Sequence, residues 1–404
     1  MKPTLGWTML SREEMRQVER SLANSEQDTR DEIGFLLIHQ GFADRFFPGT
    51  SVLHTRIRYA LFVPWIYEGL VQSRRRGRDL QSTLRDNLLN LARRLKNLGH
   101  EKKGVIGGDV VDQKRLSSQP PDRVYWTALK TWGLLLPHVD SSGDALRRLA
   151  ARSNRAAHDD DGGQLDDSES TEVFSGLVPP PTRWDDLNTG ITFALDTRER
   201  NFLREKLRNV RRPDGELSLL ARLVIRKATF PLEPNSVLPA GLDEYADETD
   251  KEALPIARDA AHLAAIGRMV YGALVESLRE EEGVSSDNTF RARLVEGFAW
   301  HGRAAKRCDL AAVERFVPKM SASVRAVLRQ TQDFVKAGAP ADFYKLRQCY
   351  RDAEVDRKTI RRARLAESAH AKDRRYEWQP DRHKTPPLHY RWSIVHDLLG
   401  DLHG

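Results

Sequence analysis

The chain has 404 residues, of which 40% are hydrophobic and 30% are charged, a balance typical of soluble globular proteins. Its two cysteines, Cys308 and Cys349, are too few for a disulfide framework or a structural zinc site. No apolar run is long enough to span a membrane, and residues 1–20 carry charges where a signal peptide would be apolar. We therefore expect a cytoplasmic protein of roughly two or three domains, with no membrane partner and no cofactor.

The positive charge is concentrated in two regions. The net charge is +7, yet residues 51–130 contain 16 Lys and Arg against 7 Asp and Glu, and residues 301–404 contain 22 against 13. The rest of the chain is therefore acidic overall, with a dense run of carboxylates between Asp159 and Glu172. Two basic regions separated by an acidic one indicate a polyanionic partner, for which nucleic acid is the first candidate. The alternative is a solvated charged surface.

The N-terminal part of the chain predicts helices joined by short turns. Residues 11–22 predict a helix that opens with a capping box, and residues 30–46 predict a second helix. Pro48-Gly49 is a turn, after which residues 52–70 predict a helix whose second half is apolar on almost every face. A helix of this kind lies in a core, and Pro64 should kink it.

Three basic side chains flank this apolar segment. His54 and Arg58 are four residues apart and share a helical face, whereas Arg56 points elsewhere. Because an unpaired buried charge is very costly, each arginine needs a partner. His54, Arg56 and Arg58 therefore form either an anion site or structural ion pairs. Candidate carboxylates for such pairs are Asp31, Glu32 and Asp44.

A basic turn follows the apolar helix. It contains Arg74, Arg75, Arg76 and Arg78. Residues 80–98 then predict the cleanest amphipathic helix of the chain, with a leucine stripe typical of core packing. Lys102 and Lys103 come directly after it. If the partner is nucleic acid, we expect these basic side chains to contact phosphate groups.

Residues 104–116 are the one early place where a short β-strand is credible. Within them Asp109, Asp112 and Lys114 follow a spacing that nucleases use to hold Mg²⁺. Glycines interrupt the strand that such a site requires, and no upstream glutamate is obviously placed to complete it. A metal-dependent nuclease is therefore an alternative function rather than the leading one.

Residues 122–135 predict a helix that follows a polar turn at residues 117–121. This arrangement fits the second half of a helix-turn-helix or winged-helix element near residues 104–136. The side chains expected to face a nucleic-acid groove are Arg123, Thr127 and Lys130. The aromatic residues of the same segment favour a core helix instead, so both interpretations stay open.

Residues 156–182 are the best candidate for an interdomain linker. They are acidic, rich in Gly and Ser, and end in three prolines, a composition that buries too little apolar area to form a core. We therefore expect an N-terminal helical domain at residues 1–155 and a C-terminal helical domain at residues 183–404.

The C-terminal domain is expected to be helical throughout. Its predicted helices begin near Thr197 and Leu217 and continue at about 255–280, 289–303, 309–317, 321–336, 341–368 and 390–402. The helix at 255–280, opened by Pro255, is dense in Ala and Gly, which lets neighbouring helices approach closely.

The predicted helix at residues 341–368 carries the second basic cluster. Arg357, Arg361 and Arg364 share one helical face and, with Lys358 and Arg362, predict an exposed basic ridge. A solvated helix face is the alternative interpretation.

Several short motifs resemble those of an uncharacterised bacterial family of unknown function. They are Phe47-Pro48-Gly49-Thr50-Ser51 with Arg56, Arg58-Tyr59 and Val63-Pro64-Trp65, and also Gly6-Trp7, Asp31-Glu32-Ile33-Gly34, Gly104-Val105-Ile106-Gly107, Val124-Tyr125-Trp126, Trp132-Gly133, Phe202-Leu203, Tyr390-Arg391-Trp392 and Ile394-Val395. The resemblance extends over nearly the whole chain. The family is often encoded in phage-defence islands, so the resemblance implies a role in defence, but it brings no activity and no catalytic residue.

The sequence thus favours a mainly α protein that acts as a non-enzymatic nucleic-acid-binding or scaffold subunit of a bacterial anti-phage defence system. Its expected partners are nucleic acid, with DNA favoured, and other defence proteins such as a helicase or nuclease. The alternatives are the nuclease and a protein-interaction module that binds an acidic partner. The sequence contains no Gly-rich phosphate loop with lysine, no paired-histidine metal motif and no serine nucleophile elbow.

Overall fold

The structure is a computed structural model, and it describes residues 32–75, 79–158, 171–231, 237–285, 288–379 and 385–404. Within these ranges the secondary structure is helical, and the prediction of a mainly α protein is confirmed. The described residues contain no β-strand, only isolated bridges that join Leu135 to Phe174 and Arg211 to Leu217. No described helix is both long and apolar enough to cross a membrane.

The α-helices are numbered in chain order. They are α1 (Phe35–Phe46), α2 (Tyr59–Arg75), α3 (Leu80–Arg93), α4 (Pro121–Thr131), α5 (Ser142–His158), α6 (Thr197–Leu207), α7 (Leu219–Ile225), α8 (Glu248–Glu281), α9 (Thr289–Arg307), α10 (Leu310–Phe316), α11 (Ala322–Ala337), α12 (Arg347–Lys358), α13 (Ala369–Tyr376) and α14 (Trp392–His403). A π turn (Arg94–Leu98) extends α3, and short 3-10 turns lie at Val111–Gln113, Leu242–Tyr245 and Pro340–Leu346.

The described chain divides into two compact units. Unit 1 contains Phe47–Phe230 and Ser393–Gly404, and unit 2 contains residues 32–46 and Pro231–Trp392. These bounds differ from the predicted domains at 1–155 and 183–404, because residues 183–230 belong to unit 1. Residues 159–170 of the predicted linker at 156–182 lie outside the described residues, and Val173 and Phe174 in its C-terminal part are buried.

Helix α2 is the core of unit 1. Every residue from Tyr59 to Tyr67 that has a large apolar side chain is buried, as the sequence predicts for a helix that is apolar all round. The helix packs against α3, α4 and α5. It begins at Tyr59 rather than at Val52, because side chains take up the backbone amides before it. The amides of Thr55 and Arg56 donate to the Tyr125 hydroxyl, and the amide of Ile57 donates to Asp401.

Helix α8 is the core of unit 2 and packs against α1, α9, α10, α11 and α13. Its 34 residues begin at Glu248, since the side chain of Asp247 accepts the amide of Asp250 as a cap, so the predicted start at Pro255 is wrong. The expected close approach of neighbouring helices is present at Gly267 and Gly272. A Cβ atom at either glycine would overlap an aromatic ring, that of Phe35 on α1 or that of Phe290 on α9.

The predicted helix at residues 341–368 is not continuous. A 3-10 turn at Pro340–Leu346 leads into α12, which ends at Lys358, and α13 begins only at Ala369. Thr359 has a φ of 70°, in the left-handed region that an α-helix does not contain. The chain then turns back, so that the amide of Leu365 donates to the buried carboxylate of Glu354 at 2.8 Å.

Candidate nucleic-acid interface

Helix α4 has an exposed face that carries basic residues and a buried face that is largely apolar. Pro121 occupies the first helical turn, where its missing N–H group is tolerated. Val124, Tyr125, Ala128 and Leu129 are buried. On the opposite face Arg123, Thr127 and Lys130 are all exposed. The basic face of α4, meaning these three residues, therefore lies where the sequence predicts it.

Tyr125 anchors α4 from its buried side. Its hydroxyl accepts from the amides of Thr55 and Arg56 at 3.1 and 3.2 Å and lies 2.7 Å from the carbonyl oxygen of Arg56. Burial raises the pKa of this tyrosine, so it stays a neutral hydroxyl. These hydrogen bonds fix the position of the α4 backbone relative to the turn before α2. Among the described residues, neither Arg123 nor Lys130 forms an ion pair with a carboxylate.

The segment before α4 does not form the expected helix-turn-helix or winged-helix element. The π turn ends at Leu98, and residues 99–120 are turns with a single 3-10 turn, whereas a helix-turn-helix needs a connection of about three or four residues. Gly104, Gly107 and Lys114 have positive φ values of 85°, 80° and 54°, which interrupt any strand through the segment. The groove-binding geometry of that motif is therefore not available to the basic face of α4.

Lys102 and Lys103 are exposed on this connecting segment. Lys102 lines a cleft of about 620 Å³ together with Lys96, His100, Glu101 and Asp109. The cleft carries both cations and carboxylates, so it is not a uniformly positive phosphate site.

The nuclease residues do not converge on a metal site. Asp112 is exposed and accepts from Lys96 at 2.7 Å and from Asn97 at 3.2 Å, which holds the pKa of Asp112 below its usual range. Asp109 and Lys114 are also exposed. Within the described part of the chain, no group of three or more His, Cys, Asp or Glu residues is arranged to hold a metal ion.

The residues His54, Arg56 and Arg58 form structural contacts. Arg56 pairs with Asp401 at 2.7 Å, and Arg58 pairs with Glu199 at 2.6 Å. His54 is buried, and its ring stacks on Tyr125 with 4.2 Å between centroids. The guanidinium groups are thus occupied by carboxylates.

Neither carboxylate is among the predicted partners. Asp31 lies outside the described residues, Glu32 pairs with Arg364, and Asp44 pairs with Arg391. Sequence reasoning missed Asp401 and Glu199 because they lie 345 and 141 residues from the arginines they neutralise. The one local signal is the capping box of Asp196 with Glu199, which fixes the position of Glu199 at the start of α6.

The second basic cluster is only partly exposed. Because α12 ends at Lys358, Arg357, Arg361 and Arg364 do not share a helical face, and the predicted ridge is wrong in that form. Lys358 and Arg364 both pair with Glu32, at 2.8 Å for Arg364, and their side chains are mostly buried. Arg357, Arg361 and Arg362 are exposed. The basic turn that follows α2 cannot be compared in the same way. Arg76, Arg78 and the side chains of Arg74 and Arg75 lie outside the described residues.

Comparison with known proteins identifies the family but not an activity. The model of a family of unknown function (DUF6361) matches residues 3–231. The chain belongs to this family. The matched residues include α2, α4 and the motifs around Pro48-Gly49, so the resemblance seen in the sequence is confirmed for that part of the chain. No curated protein and no solved structure matches the chain.

Proposed function

We propose that this protein binds nucleic acid through its exposed basic side chains and does no chemistry on it. The proposal treats the protein as a binding or scaffold subunit whose contacts are to phosphate groups. Phosphate contacts position a protein on nucleic acid and supply most of its sequence-independent affinity.

The distribution of ion pairs supports this proposal. Several buried or half-buried arginines are neutralised by carboxylates of their own unit, as in Arg58 with Glu199, Arg45 with Asp250 and Arg375 with Glu282. The buried Arg94 donates to carbonyl oxygens instead. Each such ion pair contributes no net charge. We infer that most of the excess of +7 lies on exposed side chains, where it can attract a polyanion.

The basic face of α4 is the observation that carries the proposal. Arg123 and Lys130 are exposed, form no ion pair with another described residue, and lie on a helix that Tyr125 holds in place. They are seven residues apart, which is about 10 Å along the helix axis. That distance corresponds to about three nucleotides along one strand of a duplex, so the two cations would contact different phosphates.

Charge reversal tests the proposal. We expect Arg123→Glu with Lys130→Glu to weaken binding to a fluorescein-labelled duplex by at least about tenfold at low salt, measured by anisotropy. The matched control reverses Arg208 and Lys251, which are exposed cations paired with Glu205 and Glu248, each three residues earlier in the chain. Equal losses of duplex affinity in the two double variants would show that binding depends on the net charge of the protein and not on the basic face of α4. No binding of the unmodified protein to duplex or single strands would contradict the proposal and favour an acidic protein partner.

The defence role is part of the same proposal. It is supported by the association of the resembling family with phage-defence islands, where a helicase or nuclease would be the partner. In cells that carry the complete gene neighbourhood, Arg123→Glu with Lys130→Glu should restore phage plating to the level of a deletion. Full protection by this variant would separate the defence role from the basic face of α4.

A further inference from the structure

A cleft of about 570 Å³ lies within unit 1, between α2, α3 and the segment 180–187. The amide cleft, as we name it, has three carboxamide side chains in its wall: Gln72, Asn87 and Asn90. Its other lining residues include Trp65, Glu68, Gly69, Arg94, Trp184 and Asp185. A volume in the range of roughly 300–1,000 Å³ is usual for small-molecule sites.

Helix-disfavouring residues converge on the amide cleft. Gly69 lies inside α2, where a glycine weakens a helix relative to alanine, and an added Cβ atom there would meet nothing within 4 Å. Asn87 and Asn90 lie inside α3, and asparagine is also a poor helix former. Packing gives no reason for the glycine. Departures from local preference without a structural gain are typical of functional sites.

The carboxamides of the cleft are available to a ligand. Asn87 and Asn90 are half-buried and three residues apart on one face of α3, and the exposed Gln72 lines the cleft from α2. Among the described residues, none of the three side chains has a hydrogen-bond partner. Each carboxamide offers both donors and acceptors.

A π turn fixes the third wall of the cleft. Helix α3 continues as the π turn Arg94–Leu98, and single π turns are frequent at functional sites. The buried guanidinium of Arg94 donates to the carbonyl oxygens of Trp184 and Thr189 at 2.6 and 2.9 Å and lies over the Trp184 ring at 5.3 Å. These contacts hold Trp184 and Asp185 at the edge of the cleft.

The charges of the cleft favour an uncharged ligand over an anionic one. The donors of Arg94 are used by carbonyl oxygens, and Glu68 is paired with Arg152. Asp185 is exposed and would repel a phosphate group. We propose that the amide cleft binds an uncharged small molecule that is dense in hydroxyl or amide groups and has the size of a nucleoside or a disaccharide. This site is separate from the basic face of α4 and does not depend on its function.

Calorimetric titration with two panels of uncharged probes tests the proposal. One panel contains the four ribonucleosides and the other contains neutral disaccharides such as maltose, cellobiose and chitobiose. We expect a member of one panel to bind at up to millimolar concentration, and the panel that binds identifies the source of the ligand. Asn87→Leu with Asn90→Leu should weaken that binding by at least about tenfold, since two hydrogen-bonding groups are lost. Asn201→Ala, which removes an exposed carboxamide from α6, is the matched control and should change nothing.

Filling the cleft from α2 provides a second test. Gly69→Leu places a side chain in open space, so it should abolish binding of the same probe without lowering the melting temperature. The proposal is contradicted if neither panel binds, if the matching 5′-monophosphate binds more tightly than its nucleoside, or if Gly69→Leu folds and still binds the probe normally.

Discussion

Arg58 and Glu199 form a buried ion pair that joins the turn before α2 to the first turn of α6. The Nη2 atom of Arg58 lies 2.6 Å from Oε1 of Glu199, and Nη1 donates to the carbonyl oxygen of Thr192 at 2.8 Å. Only 7% of Arg58 and 2% of Glu199 are exposed. The removal of either partner leaves the other charge buried and unpaired.

We therefore expect Arg58→Ala to reduce the free energy of unfolding by about 3–5 kcal/mol, measured by urea denaturation. Replacing both partners, as in Arg58→Met with Glu199→Leu, should be less damaging than the single change because no lone charge remains. If Arg58→Ala melts at the temperature of the unmodified protein but fails to bind nucleic acid, Arg58 belongs to an anion site instead.

The ion pair of Arg56 with Asp401 is expected to contribute less to the free energy of unfolding than the pair of Arg58 with Glu199. Arg56 is about one-third exposed at 32%, so solvent screens its attraction to Asp401 more than in the Arg58 pair. Asp401 also accepts the amide of Ile57 at 3.0 Å. Asp401→Asn should reduce the free energy of unfolding by about 1–3 kcal/mol, less than Arg58→Ala. A larger loss for Asp401→Asn than for Arg58→Ala would contradict this ranking.

Replacement of two helical glycines by alanine should change the free energy of unfolding in opposite directions. Gly69→Ala adds a methyl group in open space inside α2, so it should raise the free energy of unfolding by about 0.5–1 kcal/mol. Gly272→Ala, also inside a helix, forces a Cβ atom into the ring of Phe290 and should lower it by about 1–3 kcal/mol. Thermal melts of the two variants check both signs. Destabilisation by Gly69→Ala would show that the glycine has a packing role.

His301 should make stability depend on pH. Its Nδ1 lies 2.9 Å from Nδ1 of His262, and burial, followed by the charge of His262, lowers the pKa of His301 to about 4. Between about pH 4 and its usual pKa near 6.5, the unfolded chain therefore binds more protons than the folded one. The free energy of unfolding should fall as the pH is lowered through this window.

His301 can contribute at most about 1.4 kcal/mol per pH unit to the slope of the free energy of unfolding against pH. The expected contribution is smaller than this limit, because the ring is only partly buried. His301→Gln should reduce the slope measured by denaturation between about pH 4 and 6.5. His370→Gln, which changes an exposed histidine on α13, is the control and should leave it unchanged. An unaltered slope in His301→Gln would contradict this assignment.

Local patterns in the sequence predict the helices well, whereas partners distant in sequence are not predictable from it. The apolar run from Tyr59 to Tyr67 and the spacing of Arg123, Thr127 and Lys130 each depend on neighbours within a few turns, and both faces lie as expected. The helix breaks at Thr359, and after the chain has turned the amide of Leu365 donates to the carboxylate of Glu354. A contact of this kind leaves no periodic pattern in the sequence, so it cannot be predicted from one.

The amide cleft was visible in the sequence only in part. Asn87 and Asn90 interrupt a good amphipathic helix at a spacing of three, and Gly69 interrupts an apolar one. Their convergence depends on the packing of α2 against α3 and on the anchoring of Trp184 by Arg94. Those contacts appear only in three dimensions.

The salt dependence of duplex binding tests the central claim most directly. The logarithm of the association constant should fall linearly with the logarithm of salt concentration, and Arg123→Ala with Lys130→Ala should flatten that slope by about 1.8, or about 0.9 for each lost phosphate contact. Arg208→Ala with Lys251→Ala removes the same charge elsewhere and should leave the slope unchanged. An identical slope in the unmodified protein and in Arg123→Ala with Lys130→Ala would contradict the assignment of α4 as the nucleic-acid interface.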